Sequence, residues 1–301
     1  MHFRFIKYSK IYFIASGILI IASIVSVLVF GINWGIEFVG GSILKITYIE
    51  QQSDTQELSK NLSDLGLDNF SIRLSGERGV VVKMPEVSQE IKDRVSAILY
   101  SSDKIEKESI SYESVSPVVG GESKTKSVRA VMLSVIAIVL YVAFAFRKIS
   151  RPVKSWQYGI ATVIALMHDV LIPVGIFAAL GHFWGVEFSI PILTALLTIL
   201  GYSVNDTVVV FDRIRENLIK SPGEAFNDVI DDSLNQTLVR SLSTGFATLI
   251  VLSAIFFFGD QSLTYFSFAL IIGIAFGSYS SIFLASTLIA QIYNFQRRFV
   301  K

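Results

Sequence analysis

The sequence predicts a membrane protein, mainly α-helical, in which six transmembrane helices carry an inserted extracytoplasmic α+β domain of the ferredoxin-like (βαββαβ) type. Three observations lead there. Of 301 residues, 52% are hydrophobic and only 17% charged, against about 25% charged in an ordinary soluble domain, and the mean hydropathy is +0.57. Six stretches nearly free of Lys, Arg and Glu reach the ~20 residues that a helix needs to cross a hydrocarbon core of about 30 Å. Between the first and second lies a polar segment whose apolar residues recur at period two and then at helical spacing.

A soluble fold of this size cannot hide so much apolar surface, whereas lipid accepts it, so a purely water-soluble enzyme is excluded. The 26 Lys plus Arg against 25 Asp plus Glu give a net charge of +1, with no basic field to gather nucleic acid. The three His are scattered and Cys is absent, which removes thiolate metal sites, disulfides and Cys nucleophiles. No metal or other cofactor is expected.

The spans are taken as Ile11–Phe30, Val128–Phe146, Trp156–Leu180, Phe188–Phe211, Leu238–Phe258 and Leu263–Tyr293. Arg4, Lys7 and Lys10 precede the first, but its full spanning length and the lack of an A-x-A site make it an uncleaved span rather than a signal peptide. Short loops fix the orientation. Arg147, Lys148, Arg151 and Lys154 join spans two and three, Arg213, Arg215 and Lys220 follow span four, and Arg297, Arg298 and Lys301 end the chain. The connections Gly181–Glu187 and Gly259–Ser262 carry no Lys or Arg, so both termini are expected in the cytoplasm. Trp156 and Tyr158 suit the headgroup belt, and Gly273 with Gly277 forms a GxxxG patch for a close helix neighbour.

In the polar segment, Leu44, Ile46 and Tyr48 alternate on a strand over Ser42–Ile49, and Leu58, Leu62 and Leu65 mark a helix over Ser53–Leu65. Phe70, Ile72 and Leu74, a turn at Ser75–Gly79, then Val80, Val82 and Met84 read as a hairpin. Val87, Ile91, Val95 and Ile98 mark a second helix, and Ile110 with Tyr112 a last strand. The order is β-α-β-β-α-β. It contains no catalytic constellation and is expected to grip or dock something. The domains are therefore 1–30 (cytoplasmic N-terminus and first span), 31–126 (extracytoplasmic domain) and 127–301 (spans two to six with a cytoplasmic C-terminus). After span four, Ser221-Pro222-Gly223-Glu224 resembles a capping box, and Ala225, Phe226, Val229 and Ile230 predict a short surface helix.

The informative residues are ionisable groups within apolar spans, because a charge at the bilayer centre costs at least about 2.5–3.5 kcal/mol. Span four holds Asp206, flanked by Asn205, Ser203 and Thr207. Span three holds His168 and Asp169. Span five opens with Arg240, followed by Ser241, Ser243 and Thr244. Asp206 is either a structural carboxylate satisfied by neighbouring hydroxyls or a group that takes up an ion, with Asn205, Ser203, Thr207 and Thr244 supplying oxygens to a proton or sodium. Burial and a facing Arg240 would act on its ionisation in opposite senses, so protonation could gate movement. Arg240 could instead snorkel to the headgroups, and His168–Asp169 could be an interhelical hydrogen-bonding pair or a proton relay. An intramembrane protease with Asp169 and Asp206 as its dyad is the enzyme alternative. Neither G-x-x-x-x-G-K-[ST] nor HExxH occurs, so a nucleotide-driven pump or zinc hydrolase has no motif to stand on.

Several of these stretches resemble one family. Gly35-Ile36-Glu37-Phe38-Val39-Gly40-Gly41 is similar to the G-I-D-F-T-G-G stretch of SecF-type protein-export membrane proteins (the SecD/SecF family, resistance-nodulation-division superfamily), with Glu37 and Val39 departing from the usual Asp and Thr. Gly201 through Asn217, GYSVNDTVVVFDRIREN, resembles the family's fourth-span signature and includes Asp212, Arg213, Arg215 and Glu216. Arg240 through Thr244 resembles its fifth-span entrance, and His168–Asp169 its third-span pair. The resemblance covers essentially the whole chain. It implies a subunit of the bacterial cytoplasmic (inner) membrane that pairs with the six-span SecD, works beside the SecYEG channel and indirectly with the SecA motor, and uses a proton or sodium gradient in late-stage preprotein translocation. It also implies that Asp206 takes up the ion with Arg240 as charge partner, and that the chain is not an enzyme. The competing transport reading is an ion-driven small-molecule or lipid exporter of the same superfamily; a structural adaptor is a third.

Overall fold

The computed structural model describes residues 3–50, 55–67, 70–75, 78–147, 153–221, 223–259 and 261–299. Lys148, Arg151, Pro222 and Lys301, which the sequence reading used, lie outside the described residues, as do Ser53 and part of the Ser75–Gly79 turn. Contacts divide the chain into two compact units, Trp34–Val128 and the remainder, Met1–Asn33 with Arg129–Lys301.

The smaller unit begins with a single helical turn, α2 (Ile36–Val39), between Gly35 and Gly40. Here glycine is required. Gly40 has φ of +79° and Gly41 +128°, and a Cβ on Gly40 would stand 2.5 Å from the Cα of Pro117 while one on Gly120 would stand 2.6 Å from the Gly40 nitrogen. Two backbones cross there at a distance that no side chain allows. Strands β1 (Gly41–Thr47), β2 (Ser71–Ser75), β3 (Gly79–Met84) and β4 (Ser111–Val115), with helices α3 (Thr55–Asp64) and α4 (Gln89–Ser101) between them, follow the expected order. The sheet is antiparallel throughout, in the order β2-β3-β1-β4. Leu44 faces Val82 and Ile46 faces Val80 across the central pair. These four side chains, with Leu58 and Leu62 of α3 and Val95 and Leu99 of α4, form one buried core. The period-two and helical patterns meet on the two faces of that layer.

The larger unit is a helical bundle. Six helices are long and apolar enough to cross a membrane: α1 (Ser9–Phe30, preceded by a 3₁₀ turn), α5 (Pro117–Ala145), α6 (Ser155–Trp184), α7 (Ile190–Lys220), α8 (Phe226–Phe258), and a sixth span assembled from α9 (Gln261–Tyr279), a π-helical segment (Ser280–Ala285) and α10 (Ser286–Phe299). The bundle centre is made by α6, α7 and the sixth span, whereas α1 and α5 bury little of themselves. The GxxxG patch of α9 does receive a neighbour. A Cβ on Gly273 would sit 2.0 Å from Ile199 of α7, and one on Gly277 would sit 3.2 Å from Ser203.

Three expectations are corrected. No separate surface helix follows span four: Phe226, Val229 and Ile230 belong to α8, which runs 33 residues without a break. Its N-cap is Ala225 rather than Ser221, and it makes no side-chain cap bond. Phe226, Val229 and Ile230 are buried, because no helix breaker separates their stripe from the span that follows. Tyr158 is not in a headgroup belt. It is fully buried, with its ring stacked 5.4 Å from Phe146 and edge-on to Phe211 at 5.1 Å; Trp156 is exposed. The last span is interrupted, since the π-helical segment adds a residue to one turn.

Candidate functional site: two buried carboxylates

Among the described residues, three carboxylates are buried in the larger unit: Asp231, near the start of α8, accepts from the Ile6 N–H at 2.9 Å, and Asp169 and Asp206 lie on helices adjacent in sequence, in surroundings that differ. Asp169 of α6 has no exposed surface. One of its oxygens, Oδ1, lies 2.9 Å from Nδ1 of His168. The other, Oδ2, accepts from Ser203 Oγ of α7 at 2.5 Å and from Ser280 Oγ of the π-helical segment at 2.7 Å. Pro173 lies in the same helix and, having no N–H, cannot donate to the carbonyl of Asp169 four residues back. The helix ladder is therefore open beside the carboxylate. The His168 ring is buried between Phe276 and Tyr279, and its Nε2 has no hydrogen-bond partner.

Asp206 of α7 is 7% exposed. Its Oδ1 accepts from Ser241 Oγ of α8 at 2.6 Å, while Oδ2 is buried with no hydrogen-bond partner among the described residues. A buried carboxylate oxygen without a donor is costly, about 1–3 kcal/mol or more. The arrangement suits a group that takes on a proton or a small cation there.

Arg240 is near enough to Asp206 to act on it electrostatically, but the hydrogen bond to the carboxylate comes from elsewhere. Arg240 is exposed, and among the described residues no ion pair joins it to Asp206. The contact comes from the next residue, Ser241, whose side chain is buried where Arg240 turns outward. Asn205 and Gly201 are exposed, four residues apart on one face of α7, and a Cβ at Gly201 would meet nothing within 4 Å. Thr244 spends its hydroxyl on its own helix, donating to the carbonyls of Arg240 and Ser241. The motif residues beyond Asp206 form a charge ladder on the last turns of α7, with Arg213 to Glu216 at 2.9 Å, Arg215 to Asp212 at 3.6 Å and Lys220 to Glu216 at 2.6 Å. Several of them, with Arg240, line a cleft of about 380 Å³.

Two side chains were missed by sequence reasoning. Ser280 and Ser281 are both fully buried; Ser280 holds Asp169, and Ser281 Oγ pairs with Thr207 Oγ1 at 2.8 Å and donates to the Ser203 carbonyl at 3.3 Å. The signal was present as Ser278-Tyr279-Ser280-Ser281, four consecutive hydroxyls inside an otherwise apolar span. No group of three or more His, Asp and Glu among the described residues is arranged to hold a metal ion.

Comparison with known proteins finds one family over most of the chain. The model of protein export membrane protein SecD/SecF, C-terminal, matches residues 94–295, and that of the SecD/SecF GG motif matches residues 25–48. The protein translocase subunit SecF of Thermobaculum terrenum is 38% identical over 301 aligned residues, covering 96% of this chain and 93% of its own length. That of Haemophilus influenzae is 35% identical, covering 94% and 83%. The crystal structure of SecDF from Thermus thermophilus, a translocon-associated membrane protein, superposes with a TM-score of 0.85 at 32% identity over 98% of this chain, which spans 39% of that longer one. With a glycine turn matched at one end, Asp169 and Asp206 within the other match and two thirds of its length inside a single family model, this integral membrane chain belongs to the SecD/SecF family of protein-export membrane proteins.

Proposed function

We propose that the chain is the SecF-type subunit of a bacterial Sec protein-export machinery and that it converts the flow of a cation, proton or sodium, into late-stage movement of a translocating preprotein. Asp206 is the carboxylate that takes up and releases the ion. The observation that carries this reading is its half-satisfied state: one oxygen held by Ser241, the other buried and bare, in a helix long and apolar enough to cross the bilayer. Binding a cation at Oδ2 removes the charge that Ser241 solvates, so the α7–α8 contact is weaker in the loaded state than in the empty one.

In this account Arg240 supplies positive potential beside Asp206 without neutralising it permanently, and Asn205, Gly201 and Thr244, on exposed helix faces, are positioned for a second membrane subunit. SecD is that partner. The SecYEG channel and, indirectly, SecA act with the assembled pair. The chain lies in the cytoplasmic (inner) membrane with both termini in the cytoplasm, where the short Lys- and Arg-rich loops belong. Its domain at 31–126 projects outside and holds the emerging preprotein. It catalyses no covalent chemistry.

The test replaces Asp206 with Asn, which preserves size and the acceptor for Ser241 but cannot cycle a charge. In sealed inner-membrane vesicles, the variant should accumulate and co-purify with its partners like the parent and lose gradient-dependent stimulation of export altogether. Undiminished stimulation would overturn the proposal.

A further inference from the structure

Helix α7 is held from two sides by hydroxyl contacts that differ in kind. On one side Asp206 reaches Ser241 of α8. On the other, Ser203 and Thr207, four residues apart on one face, are held by α6 and the sixth span together: Ser203 Oγ and Ser280 Oγ both donate to Asp169 Oδ2 of α6, and Thr207 pairs with Ser281. Asp206 and Thr207 are adjacent in sequence and so project about 100° apart around the helix. A rotation of α7 therefore displaces both contacts at once.

Both serines of the second clasp lie in the π-helical segment. Ser280 and Ser281 are consecutive, yet one reaches α6 and the other α7, and Ser286 Oγ returns to the Ser281 carbonyl at 2.9 Å, five residues back. Such single-turn π segments are rare and concentrate where function requires them.

We infer that Asp169, with Ser280 and Ser281, is not a second ion carrier but the fixed clasp against which α7 moves, a set of positioning residues that determine how readily Asp206 is loaded. Asp169 has three donors for its two oxygens and no bare atom facing a path, whereas Asp206 has one donor and a bare oxygen. The groups that face them are few. Asp169 meets the ring of His168 from its own helix, with Tyr279 stacked behind that ring, and only hydroxyls from α7 and the π segment. Asp206 meets Ser241, with Arg240 beside it, from α8.

This inference rests on the ion-carrying role proposed for Asp206, and the experiment separates the two. Export stimulation is measured in vesicles carrying the full chain while a proton gradient alone, or a sodium gradient alone, is varied. Asp169→Asn keeps an oxygen acceptor for both serines, and Ser280→Ala and Ser281→Ala delete only hydroxyls. Each should retain stimulation, with the half-saturating ion concentration moved by about 3- to 10-fold, the equivalent of one hydrogen bond; Ser280→Thr should return it towards the parent value. A merely structural role would lower the amount of protein and leave half-saturation alone. Loss of stimulation in Asp169→Asn equal to that in Asp206→Asn would overturn the inference by making Asp169 a carrier, and so would unmoved half-saturation in all three variants. Should Asp169→Asn fail to accumulate, the two alanine variants carry the same test. Stimulation that survives Asp206→Asn would overturn the earlier reading instead.

Discussion

A carboxylic acid inside a membrane bundle is tolerated if donors surround it or if it can shed its charge, and Asp169 and Asp206 represent one solution each. Asp169 has a donor on every side that the fold can supply; Asp206 has one, and an oxygen with none. Ser241 therefore matters more to Asp206 than any single serine does to Asp169. Ser241→Ala should change the half-saturating ion concentration by at least about 10-fold, since a hydrogen bond to a charged group contributes roughly 1.5–3 kcal/mol; vesicle assays at graded ion concentration check this. A control on packing is Tyr158, whose hydroxyl is buried and unpartnered. Tyr158→Phe should leave the thermal unfolding midpoint unchanged or raised, because it deletes an unsatisfied group, whereas Phe146→Ala should cost about 3–5 kcal/mol. Asp206 was legible in the sequence because an acid in an apolar run is expensive wherever it points. Its hydrogen-bond donor was not, because Arg240 and Ser241 are neighbours on one helix and a one-residue difference in rotation decides which side chain is buried against it.

Periodicity reports elements well where one face stays buried from end to end and poorly where a helix changes surroundings along its length. The strands and helices of the small unit were readable for the first reason: Leu44, Ile46, Val80 and Val82 are all buried on one layer. The start of α8 was not, since the Phe226, Val229 and Ile230 stripe looks the same on a surface helix as on the buried end of a longer one. The π-helical segment was invisible because its cause is a register change in the i→i−4 ladder rather than a residue type, although its serines were in plain view. At the α7–α9 crossing the GxxxG reading can be tested directly. Gly273→Ala would place a methyl group 2.0 Å from Ile199, so the Ile199 side chain or the helices themselves must give way. The expected loss is about 1–3 kcal/mol, the usual cost of overpacking, measured as a lower unfolding midpoint in detergent, while an Ile199→Ala background should recover most of it.

For the whole molecule, composition alone distinguished apolar spans from a polar insert, and contacts divide the chain into Trp34–Val128 and the rest. Sidedness is a further step that charge asymmetry argues and chemistry can check. The absence of Cys makes single-cysteine labelling clean. In intact cells a membrane-impermeant maleimide should label Glu86→Cys in the small unit and spare Lys220→Cys at the end of α7; inverted vesicles should give the reverse pattern, and equal labelling of both from one side would contradict the proposed topology. The central claim, that a single acid changes its charge within the bundle to drive export, has a more direct test. Infrared difference spectroscopy on the reconstituted full chain follows the carboxyl stretch as pH or sodium is changed across the physiological range. The account predicts a carboxyl signal that appears and disappears with the ion and is absent from Asp206→Asn; an Asp206 fixed in one ionisation state under every condition would contradict it.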